Sequence, residues 1–261
     1  MQIGSSNDTD AVKAQYATSN KLDTRISFHD KYSTNKQGFG NWIVSNYDIR
    51  EGMRVLELGC GTGSDWFGHE DIIDRCEKLV LTDFSEGMLE TVKENLGGRD
   101  NVEYRQADIQ NLEFDDNSFD VVIANMMMYH VPDQEKAIKE VRRVLKDGGA
   151  FYCATFGEHN FNDTLFDRLQ SSGEGHKANH NFTLQNGKEK LAAAFNDVRV
   201  LRYEDSLHIT DIEDLVGYLM SLASFKSIMN TPEDKIRSVL REHATDGVID
   251  LDKEYGMFVA K

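Results

Sequence analysis

Cysteine is scarce in this sequence, and no long apolar run occurs in it. The 261 residues include only three cysteines, Cys60, Cys76 and Cys153, without a C-x-x-C pair. This pattern excludes a disulfide framework and a cysteine zinc site, and it fits a reducing compartment. No stretch approaches the ~18 apolar residues of a membrane span, and the opening MQIGSSNDTD has no apolar signal-peptide core. We therefore expect a cytoplasmic protein with no membrane partner.

Positive charge is also in short supply. The chain has 29 lysines and arginines against 45 aspartates and glutamates, so its formal net charge is -16. A surface this negative repels phosphate backbones, and we therefore expect no nucleic-acid partner. The same charge fits a small ligand that is neutral or cationic, although a well-solvated surface alone would also explain it. The sequence leaves the oligomeric state open between a monomer and a homodimer.

Short apolar runs alternate with amphipathic segments from residue 54 onward. The runs predict five strands, namely RVLEL, KLVLTD, NVEYRQAD, FDVVIAN and AFYCATF. Helical spacing follows in DWFGHEDIIDRC, SEGMLETVKENLGG and PDQEKAIKEVRRVLKDGG, and Gly148 is expected to end the last of these helices. The two prolines, Pro132 and Pro232, are expected to mark helix starts. This alternation predicts an α/β fold with a parallel sheet covered by helices on both faces.

The second half of the chain is less regular. It has helical patterns in GKEKLAAAF, DIEDLVGYLMSLASF and PEDKIRSVLREHA, and strand patterns in VRVLRYEDSLHI and EYGMFVAK. We divide the chain into an N-terminal helical cap, residues 1–50, and a main domain, residues 51–261. Insertions at about 158–183 and 211–246 are expected to cover the carboxyl ends of the strands, where open sheets of this kind bind ligands.

Three glycines within five positions follow the first strand, in the stretch VLELGCGTGS. Gly59, Gly61 and Gly63 supply positive φ angles and close backbone approach, and the N–H groups of such a turn can face a ligand. Their G-x-G-x-G spacing is one residue tighter than the dinucleotide fingerprint, which disfavours a nicotinamide-dependent oxidoreductase. Glu57, just ahead of the loop, is placed where it can hold a cationic group.

Acidic residues follow the next two strands. Asp83 ends the second strand about twenty residues after the loop, where a carboxylate can accept hydrogen bonds from two ribose hydroxyls. Phe84 and Met88 can offer an apolar face to a purine, or else they pack in the core. Asp108, after the third strand, can accept the exocyclic amine of adenine, or else it is a helix cap.

Five motifs occur in a fixed order along the chain. They are VLELGCGTGS, LVLTDFSEGML, YRQADIQNLEF, FDVVIANMMMYHVPD and VRRVLKDGGAFYCATF, and they fall roughly within residues 52–156. This order resembles that of the class I S-adenosylmethionine-dependent methyltransferases. The resemblance implies a Rossmann-like sheet of seven strands in the order 3-2-1-4-5-7-6, with an antiparallel strand seven for which EYGMFVAK is suited. It also implies S-adenosyl-L-methionine as the cofactor and S-adenosyl-L-homocysteine as the product.

The resemblance assigns cofactor contacts as well. It implies that Glu57 and the glycine loop, with Cys60, hold the amino acid end of the cofactor and that Asp83 binds the ribose. The other implied contacts are Phe84, Met88, Ala107, Asp108 and Ile109 around the adenine, and Asn125 and Met126 on the methionine side. The front segment RISFHDKYSTNKQGFGNWI is similar to the cap of small-molecule members. Tyr32 and Ser33 are then expected to reach the cofactor and Trp42 to pack behind it, unless this segment is only a packed helix.

The stretch after the fourth strand carries the candidates for acceptor chemistry. His130 is the first candidate for a general base, or else it only orders the loop before Pro132, and Tyr129 is a candidate for contacting the acceptor. The run at 126–128 can line an acceptor pocket or pack in the core. This stretch lacks the Asn/Asp-Pro-Pro-Tyr motif of relatives that methylate bases and glutamine amides, and Cys153 lies within a strand, which argues against cytosine C5 chemistry.

We therefore expect a methyltransferase that acts on a small-molecule acceptor. The acceptor itself, and the choice of oxygen, nitrogen, carbon or sulfur as the methylated atom, stay open. Three histidines of the predicted cover, His159, His176 and His180, lack the spacing of a metal site, and no metal is expected. The alternative is a non-catalytic module that binds the cofactor or a related nucleoside and acts as a sensor or partner subunit.

Overall fold

The computed structural model describes residues 20–169, 179–222 and 232–261 of the chain. The strands are β1 Arg54–Leu58, β2 Lys78–Asp83, β3 Val102–Gln106, β4 Phe119–Ile123, β5 Leu145–Phe156, β6 Val198–Ile209 and β7 Ile249–Ala260. The helices are α1 Asn20–Tyr32, α2 Phe39–Ser45, α3 Glu70–Arg75, α4 Glu86–Leu96, α5 Gln134–Val144, α6 Phe161–Leu169, α7 Gly187–Ala192, α8 Ile212–Ser221 and α9 Glu233–Glu242. Short 3₁₀ turns occur at Ser64–Trp66 and Met128–His130.

All seven strands belong to one sheet in the order β3-β2-β1-β4-β5-β7-β6. Strands β1 to β5 are parallel to their neighbours among themselves, whereas β7 runs antiparallel to both β5 and β6. The predicted fold class, strand order and reversed strand are therefore confirmed. Because β1, β2 and β4 are adjacent and parallel, the residues that follow them meet at one edge of the sheet.

Local sequence explains where the helices beside this edge begin. Ser85 caps α4, accepting a hydrogen bond from the backbone of Met88 at 3.4 Å, and Asp133 caps α5, accepting one from the backbone of Lys136 at 2.9 Å. The prediction that Gly148 ends the second of these helices is wrong. That helix stops at Val144, and Gly148 lies inside β5 with a φ of 78°. The chain joins the sheet this early because buried Leu145 pairs with Phe119 of β4.

Two other elements differ from their predicted extents. The segment DWFGHEDIIDRC forms a 3₁₀ turn and the short α3 instead of one helix, because Gly68 has a φ of 77° between them. The last strand begins at Ile249, five residues before the predicted EYGMFVAK, and pairs with the whole of β6. The early part was missed because Lys253 occupies one of its inward-facing positions, where an apolar residue was expected.

Three hydrophobic clusters surround the sheet. One contains Leu56 and the buried face of α5, and another contains Val55, so neighbouring β1 residues bury opposite faces of the sheet. The third joins α1, α6, α8 and α9 to the outer part of the β6–β7 hairpin. The predicted boundary between residues 1–50 and 51–261 stays a prediction, as do the two cover insertions, in which the structure has α6, α8 and α9.

Candidate functional site

The glycine loop after β1 has the backbone that the sequence predicts. Gly59, Gly61 and Gly63 have φ angles of 72°, 55° and 76°, a region that other residues rarely adopt. Space is as limiting as conformation, because a Cβ on Gly63 would lie 2.5 Å from a methyl carbon of Val92. A Cβ on Gly59 would lie 3.1 Å from the side chain of Met127. The loop is therefore packed tightly against α4 and against the stretch that follows β4.

The carboxylate of Asp83 ties the end of β2 to this loop. Its Oδ2 accepts a hydrogen bond from the backbone N–H of Gly61 at 3.0 Å, and its Oδ1 accepts one from Ser85 at 2.7 Å. Burial raises the pKa of Asp83, although these backbone donors partly offset that effect. The structure thus brings the predicted ribose-binding residue to the glycine loop.

Glu57 is buried at the end of β1, with 3% of its surface exposed. The indole Nε1 of Trp66 donates a hydrogen bond to its Oε2 at 2.6 Å, a partner that sequence reasoning missed. Burial, followed by the charges of Asp65 and Asp83, raises the pKa of Glu57 to about 8. No described residue gives this carboxyl group a cationic partner, so it can accept hydrogen bonds from a cationic ligand.

A polar group lies beside Glu57, of which sequence reasoning predicted Asn125 but missed Asp65 and Tyr47. The amide Nδ2 of Asn125 donates hydrogen bonds to Asp65 Oδ2 at 3.0 Å and to the hydroxyl of Tyr47 at 2.7 Å. The carbonyl oxygen Oδ1 of Asn125 is buried and accepts no hydrogen bond. Burial raises the pKa of Asp65. Asp65 lies two residues after the last glycine of the loop, but this spacing does not mark Asn125 as its partner.

The predicted adenine residues divide into two groups. Phe84, Ala107 and Asp108 line a cavity of about 220 Å³ together with Arg105, Gln106, Asn111, Glu113 and Phe114. Met88 and Ile109 are buried in the hydrophobic core, which fits the packing interpretation for Met88. Asp108 accepts hydrogen bonds from the backbone and side chain of Gln110, so it also stabilises the turn after β3. The residues after Asp108 form a turn and not a helix, so the helix-cap interpretation is wrong, and the contact with adenine stays a prediction.

The stretch after β4 makes a sharp turn before the two predicted acceptor-side residues. Met126 has a φ of 52°, which is unusual for a residue with a side chain, and Met128 is fully buried in the core. The ring of Tyr129 lies 4.5 Å from that of His130 and 4.7 Å from that of Phe156, between ring centroids. The two predicted acceptor-side residues are therefore adjacent to each other and to the end of β5.

The predicted cap residues contact α8 and the β6–β7 hairpin. The hydroxyl of Tyr32 donates a hydrogen bond to Asp214 at 2.6 Å, and its ring packs on Phe28. Ser33 accepts a hydrogen bond from Lys253 at 2.9 Å, and Trp42 packs against the ring of Tyr203. None of these described contacts is with the glycine loop. The expectation that Tyr32 and Ser33 reach the cofactor therefore stays a prediction.

A buried ion pair holds the cap to the hairpin. Lys253 Nζ lies 2.5 Å from Asp205 Oδ2, and their side chains are 2% and 0% exposed. The other oxygen of Asp205 accepts the backbone N–H of Asn35 at 2.9 Å. Nearby, His29 packs edge-on against Phe161, and burial, followed by the charge of Lys253, lowers the pKa of His29 to about 3. His29 is consequently neutral at physiological pH.

The two described histidines of the predicted cover, His159 and His180, do not gather into a metal site. The backbone of His159 donates to Glu254, and the carbonyl of His180 accepts from Asn186, whereas His176 lies outside the described residues. Within residues 20–169, 179–222 and 232–261, no group of three or more His, Cys, Asp or Glu is arranged to hold a metal ion. No helix in the same part of the chain is long and apolar enough to cross a membrane.

Comparisons with known proteins place this geometry among methyltransferases. A family described as "Methyltransferase domain" matches residues 56–153. The demethylmenaquinone methyltransferase of Staphylococcus aureus is 35% identical over 133 residues, which cover 51% of this chain and 53% of that protein. The ubiquinone/menaquinone biosynthesis C-methyltransferase of Haemophilus ducreyi is 31% identical over 185 residues, covering 69% of this chain and 67% of that protein. The chain spans about half the length of the staphylococcal relatives it matches.

A solved structure extends the likeness to most of the chain. The putative methyltransferase from an antibiotic biosynthesis pathway of Anabaena variabilis superposes with a TM-score of 0.64 at 16% identity. The superposition covers 91% of this chain and 99% of that structure. At such low identity the likeness shows the fold alone.

Proposed function

The chain belongs to the class I S-adenosylmethionine-dependent methyltransferases, and from this we propose that it transfers a methyl group from S-adenosylmethionine to a small-molecule acceptor. The observation that carries the proposal is the hydrogen bond that joins the residues at the ends of β1 and β2. The carboxylate of Asp83 and the bare backbone of Gly61 are bound to each other at 3.0 Å beside the cavity lined by Phe84. A nucleoside with a charged amino acid end fits this combination of carboxylates, bare backbone and apolar wall.

The proposed cofactor site uses this chain's residues in three ways. Carboxylates of Glu57 and Asp83 accept hydrogen bonds from cationic and hydroxyl groups. The glycine loop, with Cys60, presents backbone, and the adenine side is formed by Phe84, Ala107 and Asp108 with Met88 and Ile109 packed behind them. Asn125 and Met126 lie on the methionine side. The cofactor supplies a methyl group that is already activated by a sulfonium centre.

The remaining task of the protein is to position the acceptor and exclude water. We place this task at Tyr129 and His130, whose rings adjoin the end of β5. If the acceptor carries a hydroxyl or a protonated amine, His130 removes its proton as a general base. The acidic surface and the missing Pro-Pro clamp support a small molecule over a nucleic acid. We propose that the protein works in the cytoplasm as a monomer or homodimer.

The cofactor part of the proposal is tested by calorimetric titration with S-adenosylmethionine and S-adenosylhomocysteine. The substitution Asp83→Ala is expected to weaken binding by about 10- to 150-fold, because a hydrogen bond to a charged group contributes about 1.5–3 kcal/mol. Exposed Asp100 provides a matched control with the same charge change, and Asp100→Ala should leave affinity unchanged. If wild type binds neither compound at sub-millimolar concentration, the proposed function is wrong.

The catalytic part is tested separately by the substitution His130→Ala. It is expected to lower turnover about 10²–10⁴-fold while cofactor affinity stays the same, because general-base catalysis contributes about that factor. The assay uses cofactor with a labelled methyl group and a metabolite extract as the source of acceptors. Tight cofactor binding without transfer to any component would instead support the non-catalytic sensor.

A further inference from the structure

One wall of the cavity beside β3 is built from a segment that is neither helix nor strand. This segment, residues 107–118, joins β3 to β4. It supplies Asn111, Glu113 and Phe114 to the lining of the cavity. Because no ladder of backbone hydrogen bonds fixes such a segment, its backbone groups need partners from neighbouring elements. The shape of the cavity therefore depends on what holds this segment in place.

An arginine of α5 holds the backbone of the segment. Arg143 Nη1 donates a hydrogen bond to the carbonyl oxygen of Phe114 at 2.7 Å, and its Nη2 donates one to that of Leu112 at 2.7 Å. The Nη1 group also donates to Asp116 Oδ1 at 2.9 Å. The planar fork of a guanidinium group presents several donors at fixed angles, which an ammonium group does not. Arg143 therefore fixes the backbone on both sides of Glu113.

A second residue of α5 completes this contact. Glu140, three residues before Arg143, accepts the backbone N–H of Leu112 at 2.8 Å. Arg143 donates two hydrogen bonds to Glu140, both at 2.8 Å, and they hold the pKa of this carboxyl group below its ordinary value. Glu140 is thus ionised at neutral pH, the form that accepts hydrogen bonds most strongly. The backbone of Asn117 donates in turn to the carbonyl of Arg143 at 2.9 Å, so the segment and the helix are joined in both directions.

The side chains of the cavity wall are linked to this backbone. The ring of Phe114 packs edge-on against Phe119 of β4, with 5.1 Å between the ring centroids. The guanidinium carbon of Arg105 lies 4.7 Å from the centroid of the Phe114 ring, and Arg105 Nη2 lies 3.1 Å from Glu113 Oε2. A shift of the segment therefore moves three lining residues together. Arg143 is not itself a lining residue.

We propose that Arg143 is a positioning residue for the nucleobase end of the cofactor and acts through the segment that it holds against α5. The inference rests on the proposed function, in which this cavity takes the adenine of S-adenosylmethionine. Arg143 needs no contact with the ligand, because a base packed in a cavity loses attraction as soon as one wall moves away from it. The effect is therefore expected on binding of the nucleoside and not on binding of the amino acid end.

The test compares two ligands by calorimetry. S-adenosylhomocysteine carries both the nucleoside and the amino acid, whereas methylthioadenosine keeps the nucleoside without the amino acid. The substitution Arg143→Leu is expected to weaken both ligands by the same factor, about 2- to 30-fold, the range seen for residues that act on a site without touching the ligand. Amide hydrogen exchange is expected to become faster at residues 111–116 and to stay unchanged in the glycine loop.

Arg142→Leu is the matched control, because it makes the same change one residue earlier. The two arginine side chains have similar exposures, 37% for Arg142 and 30% for Arg143. Arg142 also donates to a backbone carbonyl and to a carboxylate, but these belong to Leu145 and Asp147 of β5 and not to the wall segment. This variant should therefore leave both affinities unchanged, even if it lowers stability.

Wild-type affinity for both ligands in a folded Arg143→Leu variant would overturn the inference, as would an equal loss in Arg142→Leu. A loss confined to S-adenosylhomocysteine would also overturn it, because the effect would then lie at the amino acid end. If Arg143→Leu does not fold, Arg143→Lys decides the question. It keeps the charge without the planar fork and is expected to weaken both ligands at least about twofold, whereas unchanged affinities would overturn the inference. Failure of the proposed function looks different, because wild type would then bind neither ligand.

Discussion

Two regions of the molecule are built on opposite principles. The cofactor side consists of short turns at neighbouring strand ends, bare backbone and carboxyl groups such as those of Glu57 and Asp83. The cap–hairpin side consists of α1, α6, α8 and the β6–β7 hairpin, and it is held together by aromatic rings, the neutral imidazole of His29 and the Lys253–Asp205 pair. These elements are far apart in the chain. The cofactor side is therefore specified locally, whereas the cap–hairpin side depends on long-range contacts.

Removing Lys253 is the strongest way to break the cap–hairpin side alone. The substitution Lys253→Met is expected to lower the free energy of unfolding by about 3–5 kcal/mol, because it leaves Asp205 as a buried, unpaired charge. Denaturant unfolding measures the loss. Titration with S-adenosylmethionine, under conditions where the variant is still folded, should show little change in affinity if the two sides are as separate as their construction indicates.

The double substitution Lys253→Met with Asp205→Leu sharpens this result. It removes both charges and is expected to recover much of the lost stability. The exposed pair of Lys139 and Glu135 on α5 is the control, since Lys139→Met should change stability by less than about 0.5 kcal/mol. A single variant as stable as the control would show that the buried pair does not hold the hairpin and cap together.

At the glycine loop, comparison of Gly63 with Gly52, which precedes β1 and has the same φ angle, separates the cost of backbone conformation from the cost of limited space. Gly63 and Gly52 both have a φ of 76°, but a Cβ on Gly63 meets Val92 at 2.5 Å and one on Gly52 meets nothing within 4 Å. Gly52→Ala is expected to cost about 1–2 kcal/mol from the left-handed backbone alone. Gly63→Ala adds overpacking and is expected to cost about 2–4 kcal/mol in total.

Denaturant unfolding of both variants measures the difference between the two costs. Equal losses would mean that the loop is constrained only by its backbone and that its contact with α4 is loose. A larger loss at Gly63 would instead tie the glycine spacing to packing against Val92, which the spacing of the motif alone does not reveal.

The same contrast explains how much the sequence predicted. Strand order and the reversed β7 followed from the resemblance to a known family. The loop angles and the meeting of Asp83 with Gly61 followed from local patterns, because turn chemistry and strand ends lie within a few residues of each other. Trp66, Tyr47 and Asp65 were missed because nothing in their spacing marks which distant side chain they contact. The early half of β7 was missed because Lys253 breaks the apolar alternation, and only its long-range partner Asp205 explains its inward position.

The smallest effect concerns the pH dependence of stability and tests whether the cofactor side is strained by its own carboxylates. The folded-state pKa of Glu57, about 8, is above its usual value of 4.5, so the folded protein holds this proton more tightly than the unfolded chain does. This stabilisation is complete below pH 4.5 and is lost as the pH rises through 8. Ligand-free protein is thus expected to lose about 2 kcal/mol between pH 6 and 8.5. In Glu57→Gln the amide oxygen can still accept a hydrogen bond from Trp66, and the dependence of the unfolding free energy on pH should become flatter. Denaturant unfolding of wild type and variant across this pH range measures both slopes. Parallel slopes would show that Glu57 is already ionised at neutral pH and that the buried carboxylates do not lower stability in this way.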